Sequence, residues 1–261
     1  MLNHALVVAR KEIAESLRDL RSVVSSLFYA LMGPLVVGLV SVANRGDARP
    51  ASSATVLAGM MSIFALVAAF VGGMNVAMDT VAGERERRSL LPLLLNPLRR
   101  FDILLGKWLA VSLFSVAGLL LNLAGFAVVF VTSRMVLAVT LPYLLLALLL
   151  GVLPLPLFAA SVQLLISTVC RSAKEAQTYL SLIVFLPMGI GMFLVFFPAG
   201  AAWCRFLPLA GQQLELQRLM DGKTLNLIQP SVVGCATAAL AVLVLRIAAR
   251  MLHRDAIVYG E

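Results

Sequence analysis

The residue types that most often carry metal or nucleophilic chemistry are few in this chain and poorly spaced for it. Its two histidines, His4 and His253, stand near opposite ends, and no His-Glu-x-x-His pair is present to hold zinc. The three cysteines, Cys170, Cys204 and Cys235, lack metal-ligand spacing. Cys204 and Cys235 could face one side of a membrane, but small packed thiols are the expected reading, not a bridge. Gly222-Lys223-Thr224 has the ending of a phosphate-binding loop. Such a loop needs a glycine five residues before Gly222, and Gln217 stands there. The chain is therefore expected to have no catalytic residue, no metal site, no cofactor of its own and no ATPase activity.

The densest charge follows Gly83: Glu84, Arg85, Glu86, Arg87 and Arg88. A leucine-rich ridge that includes Leu90, Leu91 and Leu94 comes next, and the turn signal Asn96-Pro97 ends it. A charged rim beside an apolar ridge on a short helix can dock into another protein's groove. A solvated charge run beside a membrane span is the alternative. Three neutral amides, Asn75, Asn122 and Gln163, sit inside apolar stretches. In lipid such groups commonly hydrogen-bond one helix to another, and a place along a substrate pathway is the second reading. Ion-coupled carriers keep an ionisable group inside the bilayer. Here Asp79 comes nearest, at the end of an apolar stretch, so a stand-alone carrier is disfavoured.

These residues must be positioned by an unusually apolar chain. Of 261 residues, 61% are hydrophobic and 13% charged, against about 45–50% and about 25% in soluble domains. Mean hydropathy is +0.98. The solvent has to be lipid, and 1–261 is expected to form one transmembrane domain. A span needs about 20 apolar residues, and its backbone must bond internally, which makes it helical. Six stretches qualify: 22–43, 55–78, 108–131, 139–169, 177–198 and 230–250. The fourth holds Pro142, Pro154 and Pro156 and is expected to be one long helix kinked near Pro154. The first apolar run is too long for a cleavable signal and follows a mixed-charge segment.

With six crossings, the 21 Lys and Arg gather on the side of the termini, except Arg45, Arg49, Arg134, Arg205, Arg218 and Lys223. Basic loops stay in the cytoplasm, so both termini are expected there, in a cell inner membrane. The net charge of +8 is accounted for by these loops, and nucleic acid is not an expected partner. Residues 2–21 repeat Leu2, Leu6, Ala9, Ile13, Leu17 and Leu20 at helical spacing, which reads as an amphipathic helix in the inner interface. Residues 79–107 form a cytoplasmic loop in this reading. Residues 199–229 are too polar to span and too apolar for a free loop; they suit a short external element of re-entrant type resting in the outer leaflet.

Ala82-Gly83-Glu84-Arg85-Glu86, Leu90 with Leu94-Leu95, Pro97, Arg99-Arg100 and Ile103-Leu104-Leu105-Gly106-Lys107 together resemble the cytoplasmic signature of type-2 ABC transporter permeases, nearest a NatB-like branch of sodium exporters. Lys11-Glu12 with Arg18-Asp19, the 163–179 junction and the 207–213 segment are similar to other parts of that family. The resemblance implies a coupling helix after Gly83 that seats in a separate ATPase. It further implies two ATPase copies holding ATP and Mg, and a second permease copy, the same or related. The cargo would be sodium, or a lipophilic compound, peptide or lipid. Two departures are Ser89-Leu90-Leu91-Pro92, where the family commonly has Thr then Leu-Glu, and a short segment near 44–54 where many relatives carry an external domain. On this reading Glu84→Lys is expected to uncouple ATP hydrolysis from transport with the membrane fold intact.

Overall fold

The computed structural model describes residues 2–43, 50–89, 99–132, 145–197, 202–220 and 227–252, and these are helical throughout apart from short connections. The ridge that contains Leu90, Leu91 and Leu94 lies outside the described residues. A lead-in helix α1 (Leu2–Arg18) precedes α2 (Leu20–Ala43) and α3 (Pro50–Val71). After a turn at Gly72-Gly73 the second span resumes as α4 (Met74–Ala77), a π-helical turn (Met78–Gly83) and a last turn, Glu84–Glu86. Then come α5 (Arg100–Thr132), α6 (Pro154–Val169) behind a second π-turn (Leu148–Val152), and α7 (Ala173–Phe196). A 3-10 turn (Ala202–Phe206), α8 (Ala210–Met220) and α9 (Ile228–Met251) complete the order.

Six of these helices are long and apolar enough to cross a bilayer: Leu20–Ala43, Leu57–Glu86, Arg100–Thr132, Leu145–Val169, Ala173–Phe196 and Ile228–Met251. At about 1.5 Å per residue, even the 24-residue members reach past a hydrocarbon core about 30 Å thick. The second is the hub, with 67% of its apolar window buried inside the protein against 22% for the first, third and fifth. Small residues permit this. A Cβ on Gly118 of α5 would come within 2.9 Å of the Gly72 Cα, so the two backbones touch where a larger side chain would hold them apart.

Three expectations change at the ends of elements. Residues 79–86 and 100–107 are helix, not loop: Glu84 pairs with Lys107, and Arg85 and Glu86 are held by the backbone of residues 168–173. The irregularity expected at Pro154 takes the form of a π-turn just before it, with Leu153 N–H donating to Leu148 O at 2.9 Å. Pro154 and Pro156 have no N–H, so the carbonyls four residues earlier lose their helical donors. Finally, α8, expected as a short element resting in the outer leaflet, is packed among the other helices: Leu209 just before it and Leu216 within it share one core cluster with Ala65, Leu66, Phe70 and Val152.

Candidate functional site

Among the described residues, the densest polar packing lies at the end of the bundle that holds α1 and Arg87 to Ser89. Lys107 is one turn past Ile103 on the buried face of α5 and is 1% exposed. Its Nζ donates to Glu12 Oε1 at 2.9 Å and to the Thr80 carbonyl at 2.6 Å, and lies 2.8 Å from Glu84 Oε2. Glu12 and Glu84 are themselves buried. An ammonium cannot be left unpaired in such a place, and here it has two carboxylates and a carbonyl. The carbonyl comes from the π-turn, whose wider winding leaves backbone groups for outside partners. The Ala82 N–H of the same turn donates to Ser167 Oγ at 3.1 Å. Lys11, half exposed, adds a looser contact to Glu84 Oε1 at 3.4 Å. Burial raises the Glu12 carboxyl above its usual range despite Lys107 and Lys11 beside it. Burial alone would lower Lys11, but Glu12, Glu84 and Glu15 raise it.

Helix α1 reaches this cluster on a face other than its leucine stripe. Ala5, Val8, Ala9 and Glu12 are buried, whereas Leu6, Leu17 and Leu20 are exposed. The close approach needs Gly106: a Cβ there would sit 2.6 Å from both the Ala5 carbonyl and Val8 Cβ. Small residues therefore bring α1 against α5, and Glu12 then meets Lys107.

The two residues after Glu84 also turn inward. Arg85 donates from Nη1 to the Cys170 carbonyl at 2.6 Å and from Nη2 to the Thr168 carbonyl at 2.9 Å. These are unpaired carbonyls at the end of α6, where positive charge is favoured. Glu86 Oε2 accepts the Ala173 N–H at 2.8 Å, at the opening of α7. That helix start is also capped by Ser172 and Glu175, in a Ser-x-x-Glu box: Ser172 Oγ accepts from Glu175 N–H, and Glu175 Oε2 from Arg171 N–H. Arg87 and Arg88 remain exposed. Arg88 ends the helix in the left-handed region at φ 57°. Ser89 N–H bonds to Glu84 O and Arg88 N–H to Arg85 O, a closure that usually has glycine in that place. A polar cavity of about 470 Å³ opens beside the cluster and is lined by Glu12, Asp79, Thr80, Glu84 and Arg87 among others.

The three amides of the apolar stretches each join helices. Asn75 Nδ2 donates to Ser25 Oγ at 2.8 Å, Asn122 Nδ2 to the Ala30 carbonyl at 2.7 Å, and Gln163 Nε2 to the Phe70 carbonyl. Only Asn75 among them lines the cavity, and the structure does not bring the three together. Cys204 and Cys235 are unbridged, Cys204 buried and Cys235 exposed. Glu12 and Lys107 stand in the family-like motifs Lys11-Glu12 and Ile103-Leu104-Leu105-Gly106-Lys107, but sequence reasoning gave neither a site role and did not show that they pair.

The inward turn of Glu84 alters one expectation. Glu84→Lys would set a third ammonium beside Lys107 and Lys11, so it is expected to destabilise this end by about 3–5 kcal/mol, the cost of breaking a buried pair. A thermal or denaturant unfolding series on purified protein checks this. Wild-type stability would show that Glu84 does not pair as described.

The family described as ABC-2 family transporter protein matches residues 6–243 of this chain. Among curated proteins, the ABC transporter permease protein NatB of Bacillus subtilis (strain 168) is 31% identical over 217 residues, covering 77% of this chain and 53% of that protein. The probable ABC transporter permease protein NosY of Pseudomonas aeruginosa is 32% identical over 102 residues, covering 39% of this chain and 36% of its own length. The chain thus spans about half the length of the first relative and less of the second. A match over nearly all of the six-helix bundle, including the 84–86 and Lys107 cluster, leaves no other assignment for it: the chain belongs to the ABC-2 family of transporter proteins.

Proposed function

We propose that this chain is the membrane permease subunit of an ATP-driven ABC exporter, with hydrolysis carried out by a separate ATPase and the pathway completed by a second permease copy. The observation that carries the reading is the anchoring of Glu84, Arg85 and Glu86 to three different elements, with Arg87 and Arg88 left outward. A segment held so firmly at its root and charged at its tip suits transmission of force from a docked partner. The leucine-rich residues Leu90, Leu91 and Leu94 would supply the apolar part of that contact, and Gly83 to Arg88 its charged border. Two ATPase copies, each with ATP and Mg, would close on nucleotide. The docked segment must bind differently in the open and closed states for that closure to drive anything.

In this reading the Lys107 end faces the cytoplasm with both termini, α1 lies at the inner surface of the cell membrane with its leucine stripe towards lipid, and α8 belongs to the opposite side. The basic residues of the 84–107 and 171–174 segments support that orientation. The cargo class is sodium, a lipophilic compound, a peptide or a lipid, and the largely uncharged span faces favour the lipophilic ones.

The single variant Arg88→Glu tests docking without touching the buried pairs or the Arg87 beside Asp79. The expected result is at least about tenfold weaker binding of the ATPase that co-purifies with wild type, or about 1.4 kcal/mol, with unchanged thermal stability. Equal recovery of the ATPase by both proteins would remove the docking assignment. Solute flux through the purified chain in liposomes, with no ATPase present, would favour a carrier instead.

A further inference from the structure

The end of the bundle away from Lys107 contains an acidic side chain that nothing so far accounts for. Glu215 lies in the middle of α8 and is 1% exposed. Among the described residues, neither of its carboxyl oxygens has a hydrogen-bond partner. Its Oε2 rests against the backbone of the π-turn before α6, so closely that a Cβ on Gly151 would lie 2.9 Å away. On the same face of α8, one turn earlier, Gln212 Nε2 donates to the Gly151 carbonyl at 3.1 Å and to Thr237 Oγ1 at 3.0 Å. Helix α8 is thus wedged between the fourth span and α9, with α3 and α7 also packed on it.

Among the described residues its charged surroundings are sparse. On its own helix Arg218 is the nearest, and Arg218 Nη1 donates to Gln229 Oε1 at 2.8 Å rather than to Glu215. The adjoining 3-10 turn contributes Arg205 and the thiol Cys204. The α3 helix, the π-turn and α6 carry no charged residue. The charges of α7, Lys174 and Glu175, with its Tyr179, and those of α9, Arg246 and Arg250, are towards the opposite end of their helices; the remaining thiol, Cys235 of α9, is exposed. A carboxylate in such a place would have lost its water and gained no donor, so the neutral acid is the form that fits.

We propose that Glu215 is a proton-binding site that holds α8 in its wedge: with the proton bound the helix stays seated, and release of the proton draws the carboxylate and its helix out towards water. Burial raises this carboxyl to about 7, with Arg218 pulling the other way. The seat therefore empties in the neutral range, where a small pH difference changes its occupancy. The direction of linkage follows from a folded value above the ordinary 4.5: the stabilisation is complete below about 4.5 and is lost as the pH rises through about 7. The site stands apart from the docking segment and does not depend on any ATPase.

Cys204 supplies a native reporter, since it is buried against Ala210 at the start of α8 and Leu194 of α7. The full chain in phosphatidylcholine nanodiscs, with Cys170→Ser and Cys235→Ser, would be reacted with a water-soluble maleimide between pH 5.5 and 8.5. Dividing by the rate for the same chain unfolded in detergent removes the thiol's own titration. The protection of Cys204 should fall by at least about tenfold over that range, as one group titrating near neutrality requires. Glu215→Gln, neutral at every pH, should keep it high throughout, and Glu215→Asp should move the midpoint. Protection that does not change with pH in the parent protein would overturn the proposal, whether or not Glu215→Gln folds. So would a pH dependence that neither substitution alters.

Discussion

Replacing Lys107 by methionine is expected to destabilise the membrane domain by about 3–5 kcal/mol, the range for removing one partner of a fully buried ion pair. The side chain is 2% exposed, and Glu12 and Glu84 are 5% and 9% exposed, so water cannot replace the lost ammonium. Lys11 is too distant and too solvated to do so, at 3.4 Å from Glu84 and 3.7 Å from Glu12 with 47% exposure. The loss would be read from unfolding in a mixed-micelle detergent titration. A second arm separates charge from packing. The triple variant Glu12→Gln/Glu84→Gln/Lys107→Met has no buried charge at these three positions and should recover most of the loss, because apolar or neutral replacements of a whole buried cluster are often close to neutral. If the single and triple variants lose equally, the electrostatic account fails and only packing around the Lys107 stem remains.

The second large effect is expected at Gly234. A Cβ built there would come within 1.8 Å of the Leu150 carbonyl oxygen and 3.0 Å of its carbon. That carbonyl is one whose helical donor Pro154 cannot supply, and it lies against α9 instead. Both obstructing atoms are backbone, so no rotamer change relieves the clash. Gly234→Ala must push α9 away from the fourth span and disturb the Gln212 bonds to Gly151 and Thr237. A loss at the upper end of about 1–3 kcal/mol, the range for overpacking, is expected. Gly189 is the control, since nothing lies within 4 Å of a Cβ built there. Gly189→Ala should leave stability within about 0.5 kcal/mol of wild type. Comparable losses for the two variants would mean that the contact at Leu150 does not set the effect, since helix propensity alone favours Ala over Gly at both positions.

Much of the fold was legible because the lipid-facing requirement is local. A run of about 20 apolar residues declares itself wherever it stands, and α2, α5, α7 and α9 begin or end within a turn or two of their apolar runs. The places that resisted are those where polar residues pair across long stretches of sequence. Residues 84–86 look like a loop because they are charged; they stay helical because Lys107, Cys170 and Ala173 answer those charges. Glu12 and Lys107 are 95 residues apart, and no window shows both. Helix α8 looked like a surface element because Gln212, Gln213 and Glu215 are polar. That the π-turn, α9 and the hub helix leave a space for them is a property of the packed bundle alone. In α1 the leucines face away from the protein and the Ala5, Val8 and Ala9 side packs on it, a contact that leucine spacing alone does not announce.

The grips of Arg85 and Glu86 bear on how this molecule can move. Two adjacent side chains on one turn fasten the tail of one helix and the head of the next, across a corner only three residues long, Cys170 to Ser172. Such a corner cannot flex independently of the strut it is tied to. The hub helix, α6 and α7 are yoked there, and α1 is bolted to the same yoke through Glu12, Lys107 and Glu84. A tug on the chain where it emerges at Ser89 is therefore expected to move the hub helix, α1, α5, α6 and α7 together as one lever.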